Sequence, residues 1–224
     1  THQVDTLVTV PVILRRLVEL PRHIRRRYDL SSLRCVAVSG SALPGDLAIE
    51  FMDTFGDILY NLYGSTEAAF ATCAAPDDLR ADPGTAGKPL AGVHIEVLDL
   101  RGRRVPTGVD GRIFVGSRTT FDGYTDGTDR ERTRGLVFTG DIGRLDEDGR
   151  LTIIGRADDM VITGGENVHP TEVEEVLRRN TDVAYVAVVG VPDPVYGSSL
   201  VAHVVPVAGI TPHADILLAW SRDR

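Results

Sequence analysis

The sequence predicts an α/β fold. A parallel sheet with helices comes first, a small β-barrel follows, and a shorter α+β unit ends the chain. Three observations carry this prediction. Apolar strand-like runs alternate with helical patterns over roughly the first eighty residues. From about Val93, short strands succeed one another with only turn signals between them. After Gly155 the rhythm changes again, to a Gly-rich turn, a helix, two strands and a final helix.

Asp5–Val10 (DTLVTV) reads as a first strand, and Val12–Leu20 has apolar residues at helical spacing. Leu33–Val38 (LRCVAV) is a second strand, closed by Ser39-Gly40-Ser41. Pro44, tolerated in a first turn, opens a helix to about Phe55, and Asp57–Leu62 is a third strand. Apolar strands joined by helices imply parallel pairing. The basic run Arg22–Arg27 (RHIRRR) reads as a solvated helix face rather than a phosphate patch. In the next segment Val93–Leu98, Arg112–Val115, Leu136–Phe138, Ile142–Leu145 and Leu151–Ile154 are short strands separated by turns such as Asp148-Gly149, the pattern of a small barrel. The last segment has a turn at Thr163-Gly164-Gly165, a helix over 170–180, strands at Ala184–Val189 and Leu200–Val205, and a helix capped by Thr211-Pro212 that ends near Trp220. The expected division is 1–82, 83–156 and 157–224, the third a unit cut short.

Composition narrows the function. Of 224 residues, 24 are basic and 32 acidic, a net charge of −8, which opposes nucleic acid or an anionic membrane as main partner. No apolar run approaches the roughly 20 residues that span a bilayer. Two cysteines make no disulfide scaffold, and a reducing cytoplasm is the expected compartment. The six histidines and two cysteines show no zinc spacing, and no GxGxxG or P-loop occurs. Cys35 and Trp220 read as packing residues. Lys88 is the only lysine.

Five short segments could carry chemistry. Ser39-Gly40-Ser41-Ala42 leaves the end of a parallel strand, where ligands of open sheets bind, and its small residues allow close approach; alone it is a plain turn. Asn61-Leu62-Tyr63-Gly64-Ser65-Thr66-Glu67 is a loop offering a flat ring, a close backbone, a hydroxyl for a phosphate oxygen and a hard oxygen ligand for Mg²⁺. Thr139-Gly140-Asp141 ends a strand, and Asp141 is either a ribose-diol acceptor or a turn aspartate. Gly155-Arg156-Ala157-Asp158-Asp159 sets a guanidinium beside two carboxylates, an ion pair or an anion clamp. Gly164-Gly165-Glu166-Asn167 is a flexible turn near a helix start.

Taken together, NLYGSTE at 61–67, GRIFVG at 111–116, FTGD at 138–141, GRADDMVITGGENVHPTEVE at 155–174 and GVPDPVYG at 190–197 resemble the adenylate-forming superfamily of acyl-CoA synthetases, luciferases and peptide-synthetase adenylation domains. The matches keep the family's order and spacing over nearly the whole chain. The resemblance implies that Gly40, Ser41 and Ala42 line the adenine and acyl pocket. It implies that Tyr63 stacks on adenine beside Gly64 and Ser65, that Thr66 contacts the α-phosphate, and that Glu67 holds Mg²⁺. Asp141 would bind the ribose hydroxyls with Arg156, Asp158 would be the hinge, and Gly164, Gly165 and Glu166 would face the pantetheine tunnel.

The implied function is ATP-dependent activation of a carboxylic acid, a fatty acid first among them, with transfer to coenzyme A. NLYGSTE and GGENVHP are closer to acyl-CoA synthetases than to adenylation domains that load a carrier protein. The family's phosphate loop and its C-terminal catalytic lysine have no match here, and Lys88 falls at a non-catalytic position. An interior piece of a longer enzyme, inactive by itself and associating with the missing half or with a second copy, is therefore expected. The alternative is a non-catalytic nucleotide-binding remnant.

Overall fold

The alternation of apolar runs is realised as three parallel strands. In the computed structural model, which describes residues 3–222, β1 (Thr6–Thr9), β2 (Cys35–Val38) and β3 (Leu59–Ser65) pair in that order, through Leu7↔Val36 and Ala37↔Tyr60. The outer limits of the first and third expected segments, residues 1 and 224, lie outside the described residues. Helix α1 (Pro11–Glu19) starts on a proline and turns Leu14 and Val18 inward. Helix α2 (Arg22–Arg25) is one basic turn with no buried residue. Helix α3 (Gly45–Phe55) buries Leu47, Ala48, Phe51 and Met52 against Val36, Val38 and Leu59 of the strands. Fully burying each of Leu47, Phe51 and Met52 is worth about 1.5–3 kcal/mol, which holds α3 on the strands.

Here the structure departs from the sequence reading. The segment expected as a loop over 61–67 is strand to Ser65, because β3 turns back at residues 66–68 into an antiparallel β4 (Ala69–Ala74), with Leu62↔Cys73 and Tyr63↔Thr72 in register. Helix α4 (Pro76–Ala81) and β5 (Thr85–Pro89) follow. None of these three was anticipated. The run AAFATCAA has no hydrophobic period, since small residues, Ala71, Thr72 and Ala74, fill its buried positions.

The antiparallel strands are β6 (His94–Leu98), β7 (Gly111–Gly116), the two-residue β8 (Arg132–Thr133), β9 (Leu136–Leu145) and β10 (Leu151–Arg156). They continue the sheet in the order β5-β10-β9-β7-β6, with β8 on β9, giving ten strands joined edge to edge by the β5–β10 pair. The two strands expected at 136–138 and 142–145 are one, β9, so Thr139-Gly140-Asp141 lies inside a strand rather than at its end. Gly140 allows this by taking a φ of +88°.

After β10 come the hairpin β11 (Val161–Thr163) and β12 (Glu166–Val168), α5 (Pro170–Arg178), the long hairpin β13 (Val183–Asp193) and β14 (Gly197–Pro206), and α6 (Ala214–Arg222). Leu177, Val183, Val188 and Leu217 form their core. Helix α6 begins at Ala214, past the expected Thr211-Pro212 cap, because Ile216 and Leu217 bond back to the carbonyl of His213. Trp220 donates to the Val176 carbonyl at 3.1 Å. The chain divides into two compact units, residues 1–139 with 143–153, and residues 140–142 with 154–224. No helix among the described residues is long and apolar enough to cross a membrane.

Edge strand β6 carries a buried glutamate. Glu96 is 6% exposed and is held by Arg104, by Arg134 at 3.2 Å and by His94 at 3.0 Å. The Arg104 guanidinium foremost, with His94 and Arg134, lowers its pKa to about 2. A carboxylate whose folded pKa is depressed stabilises the fold above its unfolded pKa, and that contribution disappears as pH falls toward the folded value. Because the arginines are exposed, Glu96→Gln is expected to cost only about 1 kcal/mol at pH 7. Urea unfolding of both proteins should show this difference shrinking between pH 4.5 and pH 2.

Candidate active site

The first unit places its site residues at the β3–β4 hairpin. β3 presents Tyr63, Gly64 and Ser65, and Thr66 and Glu67 occupy the turn. Ser65 Oγ accepts the amide of Ala68 at 3.2 Å, closing the turn. A bulge between Tyr63 and Gly64, with Ala69 at a φ of +55°, brings Gly64 so close to the opposite strand that a Cβ there would lie 2.0 Å from the Ala69 carbonyl oxygen. Gly64→Ala is therefore expected to destabilise the unit by about 2–4 kcal/mol, read as a shift in urea midpoint at unchanged m-value.

The end of β2 meets this hairpin. Ser39 lines a cavity of about 300 Å³ with Gly64, Ser65, Ala69 and Phe70. Gly40, with a φ of +93°, Ser41 and Ala42 follow Ser39 in the chain and are exposed. Tyr63 is half-buried and packs against the cluster containing Ala68, Ala71 and Val97. Thr66 is exposed.

Glu67 is the most constrained of these residues. The Tyr124 hydroxyl donates to its Oε1 at 2.5 Å, and Arg130 Nε donates to the same oxygen at 3.2 Å. Arg130 Nε also lies 2.9 Å from the Tyr124 oxygen. The Tyr124 hydrogen bond is the main reason that the carboxyl is lowered to about 2. Sequence reasoning missed Tyr124 and Arg130. They lie 57 and 63 positions further on, and only the chain reversal at Phe121, whose amide donates to the Glu67 carbonyl at 2.9 Å, brings them there.

In the second unit Asp141 is 8% exposed and Arg156 Nη1 donates to its Oδ1 at 3.2 Å. The guanidinium reaches Asp158 Oδ2 with its other nitrogen at 3.4 Å, and the Ala157 amide donates to the Gly140 carbonyl at 2.8 Å. A Cβ on Gly140 would stand 2.7–2.9 Å from the guanidinium atoms, so the glycine makes room for Arg156. The structure thus brings Asp141, Arg156 and Asp158 together. Gly164 and Gly165, with φ of +58° and +90°, form the two-residue turn between β11 and β12, a conformation that glycine pairs favour. The turn expected to be loose is therefore the tight tip of a hairpin. Gly164 donates to the Tyr196 carbonyl at 3.1 Å, and Glu166 is exposed. Arg156, Asp158, His169 and Thr171 help line a cavity of about 690 Å³ in this unit.

The donor set bears on magnesium. Among the described residues no group of three or more His, Cys, Asp or Glu could hold a metal by itself. Magnesium commonly binds through one or two carboxylates together with substrate phosphates and water. Glu67, ionised, on a turn and engaged by both donors at Oε1, fits that role. A buried carboxylate beside a guanidinium, as at Asp141, can accept two hydroxyl donors while its charge stays compensated.

Comparison with known proteins follows the same lines. The AMP-binding enzyme family matches residues 1–125, and the AMP-binding enzyme C-terminal domain matches residues 172–224. An uncharacterized acyl–CoA ligase of Bacillus subtilis (strain 168), YhfT, is 37% identical over 224 residues, covering 100% of this chain and 44% of its own length. A feruloyl-CoA synthase of an Amycolatopsis species is 35% identical over 227 residues, covering 100% and 46%. The structure of the amide bond synthetase McbA from Marinactinospora thermotolerans superposes with a TM-score of 0.91 at 36% identity, covering 99% of this chain and 45% of that one. The chain spans about half the length of the curated relatives it matches.

Proposed function

We propose that this chain, which belongs to the AMP-binding enzyme family, is part of an AMP-forming acid–thiol ligase. In the reaction, a carboxylate oxygen attacks the α-phosphorus of ATP and pyrophosphate leaves. The thiol sulfur of coenzyme A then attacks the acyl carbonyl, and AMP leaves. The observation that carries this reading is the buried Asp141 carboxylate held by Arg156, its oxygens acceptors suited to a ribose diol.

The chain's residues divide the work. Tyr63, Gly64 and Ser65, with the Gly40–Ala42 turn, shape the adenine wall, and the Ser39-lined cavity supports close approach there. Thr66 donates its hydroxyl to the α-phosphate. Glu67 would hold magnesium, which supplies charge neutralisation at the phosphates where two anions must meet. Asp141 accepts the ribose hydroxyls and Arg156 orients it. Asp158, largely exposed, serves as the pivot between the two half-reactions, and the Gly164–Glu166 hairpin tip then faces the pantetheine. Lys88 is exposed on β5, so any further lysine must come from outside these 224 residues. The chain by itself is not expected to sustain ATP–pyrophosphate exchange.

The acid is a small-molecule carboxylic acid. Aliphatic acids, fatty acids among them, and aromatic acids are the arms of the test, since one relative is a feruloyl-CoA synthase. Coenzyme A is the proposed acceptor and the cytoplasm the proposed compartment. Thiol-dependent release of AMP from ATP and the acid tests the activity; release of ADP instead would defeat it.

A further inference from the structure

We infer that Tyr124 is a positioning residue for Glu67: its hydroxyl pins Oε1, so that the other carboxylate oxygen is the one offered to the metal. This rests on the reading of Glu67 as the magnesium ligand. A glutamate side chain on a turn has several free torsions, and ordering it costs conformational entropy. Here that ordering is already done by the segment around Tyr124. The Phe121 amide holds the Glu67 carbonyl at 2.9 Å, and the Tyr124 hydroxyl holds the carboxylate at 2.5 Å.

The segment is itself braced. Phe121 and Tyr124 meet edge to face at 5.0 Å, Tyr124 donates its amide to the Thr128 carbonyl at 3.0 Å, and Arg132 donates to the Phe121 carbonyl at 2.8 Å. Arg130, 2.9 Å from the phenol oxygen, keeps the hydroxyl turned to Glu67. A cation beside a metal ligand repels the metal, so the neutral phenol, not the guanidinium, is the group suited to orient the carboxylate toward it. Hydrogen bonds to ligating carboxylates act in this way, and losing one typically costs 10–100-fold in metal affinity.

The test uses the native polypeptide and a double-mutant cycle of Tyr124→Phe and Glu67→Gln. The readout is the Mg²⁺ concentration that half-saturates binding of radiolabelled ATP in equilibrium dialysis. Phenylalanine retains the ring contact with Phe121, and melting temperature checks the fold. Tyr124→Phe is expected to raise the half-saturating Mg²⁺ roughly tenfold and to add less than about twofold in the Glu67→Gln background. An unchanged Mg²⁺ requirement, or an equal shift in both backgrounds, would overturn the positioning role while leaving Glu67 as ligand. If Glu67→Gln alone leaves the requirement unchanged, the ligand reading and this inference both fall.

Discussion

Asp141→Ala is expected to weaken binding of an acyl-sulfamoyl-adenosine, a stable stand-in for the acyl-adenylate, by at least about a hundredfold. A hydrogen bond to an ionised acceptor is worth roughly 1.5–3 kcal/mol, so losing two from a ribose diol accounts for about 3 kcal/mol or more. Each 1.4 kcal/mol is a factor of ten in affinity. The alanine also removes the carboxylate that stands 3.2 Å from Arg156 Nη1. Asp141→Asn, which preserves shape and loses charge, should fall between the two. Calorimetric titration of the three proteins decides the matter. Equal affinity in all three would remove Asp141 from the site.

The second large effect is expected at Glu67. In the native polypeptide, Glu67→Gln should lower kcat/KM for acid-dependent ATP–pyrophosphate exchange by about 10²–10³, the loss typical of removing one group that stabilises developing transition-state charge. Glutamine is nearly isosteric and still accepts a hydrogen bond from Tyr124, so the turn and its bonds to the Tyr124 segment persist. The cost then falls on metal and phosphate rather than on folding. Raising Mg²⁺ should recover part of the rate in the mutant and little in the native protein. A mutant that retains full exchange at low Mg²⁺ would show that Glu67 holds its place for structure alone.

Much of this was legible in the sequence because local rules and tertiary demands agree there. Leu14, Val18, Leu47 and Phe51 fall at helical spacing and are the residues that cover the parallel strands. The motif residues Tyr63, Glu67, Asp141 and Arg156 could be named from order and residue type. Their surroundings could not. Strand β4 is invisible to periodicity because alanines fill its buried positions, and so the loop read at 61–67 is the tip of a hairpin. Tyr124 and Arg130 reach Glu67 across 57 and 63 residues, a contact that no window of sequence contains. Gly140 reads as a turn glycine yet serves inside a strand, where the space of its missing side chain is taken by Arg156.

The most direct test of the central claim is exchange of labelled pyrophosphate into ATP by the native polypeptide, offered aliphatic and aromatic carboxylic acids in turn. The expected result is exchange that depends on Mg²⁺ and on at least one of those acids, with AMP as the nucleotide product once coenzyme A is added. A folded protein that exchanges no label with any of the acids, or that releases ADP and phosphate, would contradict it.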